Sequence, residues 1–176
     1  MNKLRGGGEL PPKPSIIQVV KGLIGGSVGI LMLSLLGQYS GVPWLMAPFG
    51  ATCVILFAAP ASPLAQPRNV IGGHLITASV GLAALYLFGD SVVVLSLAVG
   101  VAIALMQWCR AVHPPAGANP IVIILAGKTV VGLSFLISPV LLGSVALVIV
   151  ASLVNNVGVS AGWPIYWHGF GKPGQE

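Results

Sequence analysis

The stretch Arg110-Ala-Val-His-Pro-Pro-Ala-Gly-Ala-Asn-Pro120 decides how the rest of the chain is read. It sets a cation, a histidine, three prolines and an asparagine inside a sequence that is otherwise lipid-soluble. Each proline removes a backbone donor and ends or kinks a helix. Within a bilayer, the carbonyls freed in this way must find partners in protein or water. A break of this kind is tolerated at membrane depth only where it is buried in protein or lines a cavity. The stretch therefore reads as a site.

Working outward, the setting is apolar. Hydrophobic residues make up 56% of the 176-residue chain and charged residues 6%, against about 25% charged in a soluble domain. Mean hydropathy is +0.97. Such a chain cannot cover itself with water-compatible side chains, so it is an integral membrane protein with one domain. The net charge of +5 is scattered. It reads as topology information and attraction to anionic headgroups, with no nucleic-acid partner implied. Cys53 and Cys109 lack metal spacing and are expected to be inert packing residues.

Residues 1–15 read as a flexible basic cytoplasmic tail, and residues 16–158 as the transmembrane domain. The first span, residues 16–37, carries Gly22, Gly25, Gly26 and Gly29, a small-residue face for close packing of another helix. Residues 44–59 hold Pro48-Phe-Gly-Ala-Thr52, after which about twelve helical residues, roughly 18 Å, remain before the next proline. Residues 69–88 and 92–108 are spans. Residues 116–126 are again too short to cross alone, and residues 139–157 form the last span. Residues 159–176 are expected as an interfacial aromatic and polar tail, with Trp163 and Trp167 as interface anchors.

An internal repeat follows from the two breaks. Pro48-Phe-Gly-Ala-Thr52 aligns with Pro115-Ala-Gly-Ala-Asn119, and Val70-Ile-Gly-Gly-His74 lies over Val140-Leu-Leu-Gly-Ser144. The fold class is therefore all-α: a polytopic helical bundle of two long-short-long units, residues 16–88 and 91–158, with short or broken helices at the centre. Three crossings per unit is an odd number, so the second copy is expected to be inverted. With six crossings and the N-terminus in the cytoplasm, Lys3, Arg5, Lys13, Lys21, Arg68, Arg110 and Lys172 lie inside and Lys128 outside with Asp90. The positive-inside rule prefers this arrangement. The expected location is a bacterial inner (plasma) membrane.

Short or Gly/Pro-interrupted segments in corresponding positions of two inverted halves point to a transporter's binding site. A helix beginning inside the membrane presents unpaired N–H groups and a positive dipole end, which suit an anion. The only carboxylates are Glu9, Asp90 and Glu176, none of them within a span. A cation carrier usually needs intramembrane carboxylates. HExxH, CxxC and Walker A patterns are absent and no serine has a nearby base, so no enzyme, metal or cofactor is expected.

The motif His113-Pro-Pro-Ala-Gly-Ala118 resembles the signature of the HPP family of integral membrane proteins. The resemblance continues through Met46-Ala-Pro-Phe-Gly-Ala51, Ser62-Pro-Leu-Ala-Gln-Pro-Arg-Asn-Val-Ile-Gly-Gly-His74, Pro139-Val-Leu-Leu-Gly143 and Asn155-Asn156. Together these cover nearly all of residues 16–158. The resemblance implies about four membrane spans and, from plastid and cyanobacterial members associated with nitrite transport, a small-anion transporter.

The expected function is thus a transporter or channel for a small inorganic anion, nitrite first, with protons as a candidate co-substrate and homo-oligomerisation left open. The alternative is a membrane scaffold or assembly protein without transport. His113, Asn119, Gly117, Gly50 and Thr52 are expected to line the substrate site, with His74 and Arg110 second. An unperturbed histidine titrates near pH 6.5, which suits proton coupling, although His113 could instead cap the broken helix. Arg110 reads either as an anion attractor or as a headgroup anchor. Asn155 and Asn156 read as interhelical hydrogen-bonding residues.

Overall fold

Helix α1 (Ile16–Ser40) starts where the sequence offers a capping box. Ser15 Oγ accepts from the Gln18 N–H, and the Gln18 side chain accepts from the Ser15 N–H at 2.8 Å. The helix stops at Gly41, whose φ of 70° is a left-handed cap. Helix α2 (Ala47–Ala58) carries Pro48 in its first turn, where a missing N–H costs little. A 3-10 turn (Pro63–Ala65) leads to α3 (Pro67–Phe88), again opened by proline. Ser91 caps α4 (Val92–Trp108). A second 3-10 turn (Pro114–Ala118) runs into the eight-residue α5 (Asn119–Ala126). A wide turn, Leu136–Leu141, with Ser138 outside helical dihedrals, feeds α6 (Leu142–Asn155). These elements come from a computed structural model that describes residues 10–158 and 162–167, and among the described residues every regular element is helical.

Three segments are long and apolar enough to cross a membrane: Ile16–Ser40, Pro67–Phe88 and Leu136–Asn155. Ala47–Ala58, Val92–Trp108 and Pro114–Ala126 are shorter. The two breaks thus fall where the prolines put them, while α4, expected as a full span, has 17 residues, about 25 Å of helix. The last span begins earlier than its proline suggests, because the chain stays coiled through Leu136–Leu141.

Polar ties sort the segment ends into two sets. Lys21 near the start of α1 donates to the Asn155 carbonyl at the end of α6, and Asn155 Nδ2 donates to the Leu56 carbonyl near the end of α2. Arg68 at the start of α3 reaches the Cys109 carbonyl just past α4 at 2.9 Å. At the other set of ends, Lys128 donates to the Tyr86 carbonyl and the Tyr86 hydroxyl to the Val131 carbonyl. Lys21, Arg68 and Arg110 therefore share one end of the bundle, with Lys128 opposite. Lys3, Arg5, Glu9 and Lys172 lie outside the described residues.

The core joins Leu33, Phe49, Leu56, Val70, Ile123 and Leu147, whereas Leu23, Phe88, Val92, Leu97, Leu125 and Leu153 point outward. Large apolar side chains on the outside and polar ones within suit lipid rather than water as solvent. A Cβ on Gly25 would overlap the Phe57 ring, and one on Gly29 would meet Leu147 at 3.0 Å, whereas Gly22 and Gly26 face open space. Half of the glycine face is therefore internal packing. Cys53 is buried as expected, but Cys109 is exposed.

Trp163, expected as an interface anchor, packs against the protein. It is 7% exposed, its indole N–H donates to the Pro60 carbonyl, and Asn156 clasps its backbone on both sides. The polar edge of the indole thus has a fixed acceptor inside the protein. Trp167 is exposed.

Candidate functional site

The two broken segments meet on α3. His74 sits seven residues after Pro67, about 10 Å into the helix from the end carrying Arg68. The neighbouring Gly73 makes the approach possible, because a Cβ there would stand 2.8 Å from His113 Cβ and 3.0 Å from the Ala111 carbonyl oxygen. Thr52 arrives from the middle of α2, His113 from the extended residue before the second 3-10 turn, and Asn119 from the first residue of α5. Thr52, His74, Thr77 and His113 are fully buried and Asn119 is 1% exposed.

Five side chains form one network. Thr52 Oγ1 lies 2.9 Å from His74 Nε2, 2.9 Å from His113 Nε2 and 3.0 Å from the Pro48 carbonyl oxygen. Asn119 Nδ2 lies 3.0 Å from His74 Nδ1, 3.2 Å from the His74 carbonyl and 3.0 Å from Thr77 Oγ1. His113 Nδ1 is 2.8 Å from the Leu64 carbonyl. The Phe49 ring stands edge-on to His74 with centroids 5.0 Å apart, and the two imidazoles are 5.2 Å apart.

Acceptor-only partners assign the protons. The Leu64 carbonyl requires a hydrogen on His113 Nδ1, which leaves Nε2 of neutral His113 as an acceptor. The His74 carbonyl requires the Asn119 amide nitrogen, not its oxygen, on that side. His74 Nδ1 then accepts, and its hydrogen sits on Nε2. A single direction results: Asn119 donates to His74, His74 to Thr52, Thr52 to His113 and His113 to Leu64. Asn119 Oδ1 is left buried without a partner.

Of the residues expected to line a site, Thr52, His74, His113 and Asn119 come together. Gly50 and Gly117 stand apart from the network, each with open space where a Cβ would project. The Asn119 amide donors, expected for an anion, are directed at His74 and Thr77 instead. The expected row of unpaired N–H groups is thinned by the prolines: Pro114, Pro115 and Pro120 have none, and the Ala116 N–H is held by the His113 carbonyl. Arg110 is exposed just past α4. Its φ of 53° is the left-handed C′ position of a Schellman motif, closed by Ala111 N–H to the Met106 carbonyl and Arg110 N–H to the Gln107 carbonyl.

Sequence reasoning missed Thr77, although its spacing of three from His74 places both on one helix face. It also missed Gln66, which together with Asn69, read with Arg68 as the matching entry of the other half, pins the loops around the site. Gln66 donates to the Pro60 and Ser62 carbonyls and accepts from the Ile165 N–H. Asn69 donates to the Val112 carbonyl and accepts from the Tyr166 hydroxyl. The Leu64 carbonyl carries no side-chain signal at all.

A family model for the transmembrane region of HPP proteins matches residues 11–164. Two curated proteins of Dictyostelium discoideum, both described as transmembrane proteins, are 33% identical over 94% of the chain and 34% identical over 89% of it. The chain spans 56% and 58% of the length of these relatives. No solved structure gives a significant match.

Proposed function

The chain belongs to the HPP transmembrane family, and on that premise we propose that it is a transporter or channel for a small inorganic anion, nitrite first. The observation that carries this reading is that Thr52 and Asn119, corresponding residues of the two broken segments, engage opposite nitrogens of one buried imidazole, His74. A polar cluster at that depth that holds no carboxylate and is rich in N–H and O–H groups suits an anion better than a cation. The anion would enter by displacing acceptors inside the cluster, such as the Leu64 carbonyl at His113. Arg68 and Arg110 at the nearer end of the bundle supply an attracting potential on the approach.

The reading extends to topology. Residues 16–88 and 91–158 act as inverted copies, with the N-terminus cytoplasmic and Lys21, Arg68 and Arg110 on that side. Proteoliposomes loaded with a nitrite-sensitive probe test the function. Flux above that of empty liposomes, lowered at least about tenfold by Thr52→Val while the protein stays folded, is the expected result. A folded, correctly inserted protein with no flux of nitrite or related anions overturns it. The engagement of every cluster donor within the protein favours the second reading, a membrane scaffold. Under that reading Thr52→Val changes stability, there is no flux to change, and a stoichiometric partner copurifies.

A further inference from the structure

Thr52 Oγ1 faces one more acceptor than a single hydroxyl hydrogen can serve. His74 Nε2–H donates to it, while His113 Nε2 and the Pro48 carbonyl oxygen both lie within donating distance, at 2.9 and 3.0 Å. With His113 neutral, the hydroxyl hydrogen is committed to His113 Nε2 and the Pro48 carbonyl goes without it. If a proton binds at His113 Nε2, that nitrogen becomes a donor to Thr52. The hydroxyl then turns its hydrogen to Pro48 and accepts from both imidazoles with its two lone pairs. Nothing heavier than one hydrogen moves, and every nitrogen and oxygen of the three side chains is paired in both states.

We propose that His113 Nε2 is a proton-binding site of this protein and that the Thr52 hydroxyl is the rotor that lets the buried cluster hold the proton. His74 is the spectator of the pair. Its Nδ1 accepts from Asn119 Nδ2, and the Asn119 amide cannot reverse without setting its oxygen against the His74 carbonyl at 3.2 Å. His113 has no such lock, since its Nδ1–H donates to the Leu64 carbonyl in both protonation states and a charged ring only strengthens that bond.

The groups packed around His113 are Thr52 of α2, Leu64 of the first 3-10 turn and His74 of α3, and none is acidic. The only carboxylate side chain among the described residues is Asp90, beyond the far end of α3. The positive charge of the bound proton therefore has no carboxylate partner among the described residues. Resting on the transport reading, a monovalent anion supplies that partner, so one proton and one anion share the cluster as a neutral pair.

The test reads proton position without reading transport. The full chain, labelled with 15N-histidine and placed in lipid nanodiscs, is titrated with and without nitrite, and the imidazole nitrogen shifts are followed. Neutral His113 is expected in the Nδ1–H form and neutral His74 in the Nε2–H form. Acidification should convert His113 to the doubly protonated ring while His74 keeps its form. Thr52→Ser should keep the His113 transition, and Thr52→Val should weaken proton binding at least about tenfold, one unit of pH. An Nε2–H form of neutral His113, protonation of His74 first, or equal titration in Thr52→Val and the unmodified chain would each overturn the proposal. Where Thr52→Val fails to fold, the two tautomers of the unmodified protein decide it. Nitrite that leaves the His113 transition unmoved removes the neutral pair, whereas absence of flux alone removes only the transport reading.

Discussion

The two broken segments carry the same Pro-x-Gly-Ala-polar pattern and use it differently. In α2 the pattern starts a clean twelve-residue α-helix, Pro48 sits in the first turn, and Phe49 anchors the helix in the core. In the second segment Pro114 and Pro115 open a 3-10 turn, and Pro120 sits in the first turn of the eight-residue α5 that follows. The first segment gives the cluster one side chain, Thr52, together with the Pro48 carbonyl beneath it. The second gives two, His113 at its entry and Asn119 after the turn. A hydroxyl can donate and accept at once, whereas an amide nitrogen held between acceptors can only donate. The sturdier segment therefore holds the adaptable group, and the more broken segment holds the fixed donor and the titrating ring.

That difference has a measurable cost. Thr52→Val keeps the shape of the side chain and strands two buried groups, His74 Nε2–H and His113 Nε2, each worth about 1–3 kcal/mol when left unpaired. Asn119→Leu also keeps the approximate shape, strands mainly His74 Nδ1, and removes an amide oxygen that has no partner in the native protein. Thr52→Val is expected to lower stability by more than Asn119→Leu, measured by denaturant unfolding in detergent micelles. Because both act on His74, the double variant should cost less than the sum of the two single variants. An Asn119→Leu loss larger than that of Thr52→Val would reverse the roles assigned to the two segments.

Next in size is the joint that lets the segments meet. Gly73→Ala places a methyl group against His113 Cβ and the Ala111 carbonyl, both fixed by backbone. Overpacking of this kind costs about 1–3 kcal/mol. It should also shift the His113 ring signals in the labelled protein. A variant as stable as the parent with unmoved signals would mean that α3 and the His113 segment are not held at this spacing.

How much of this could be read beforehand depends on which groups do the work. Prolines and apolar run lengths announced both breaks, because proline acts through its own covalent geometry and needs no tertiary partner. Thr52, His74, His113 and Asn119 were legible as polar residues stranded in apolar sequence, and the repeat paired Thr52 with Asn119. The orientation of the Asn119 amide was not legible. It depends on the His74 carbonyl, a backbone atom that looks alike in every residue. The Leu64 carbonyl escaped for the same reason. The burial of Trp163 was not legible, because its acceptor at Pro60 lies 103 positions away in sequence.

The smallest expected stability effect concerns Arg110, and it separates two roles for the exposed end of the second break. A non-glycine residue in the left-handed region costs about 1–2 kcal/mol, which glycine avoids. Against that gain, glycine enlarges the freedom of the unfolded chain, an effect of about 0.4–1 kcal/mol in the opposite sense. The Schellman hydrogen bonds and the Cys109 carbonyl that Arg68 holds belong to the backbone and survive the change. Arg110→Gly should therefore leave thermal stability unchanged or raise it by up to about 1.6 kcal/mol. With the fold intact, any fall in anion uptake reports the lost charge alone. That fall should fade as ionic strength rises, since an exposed charge acts over a Debye length of about 8 Å in physiological salt. A loss of uptake that persists at high salt would mean that the guanidinium touches the anion directly, and the second segment would then carry a contact reaching beyond its buried cluster.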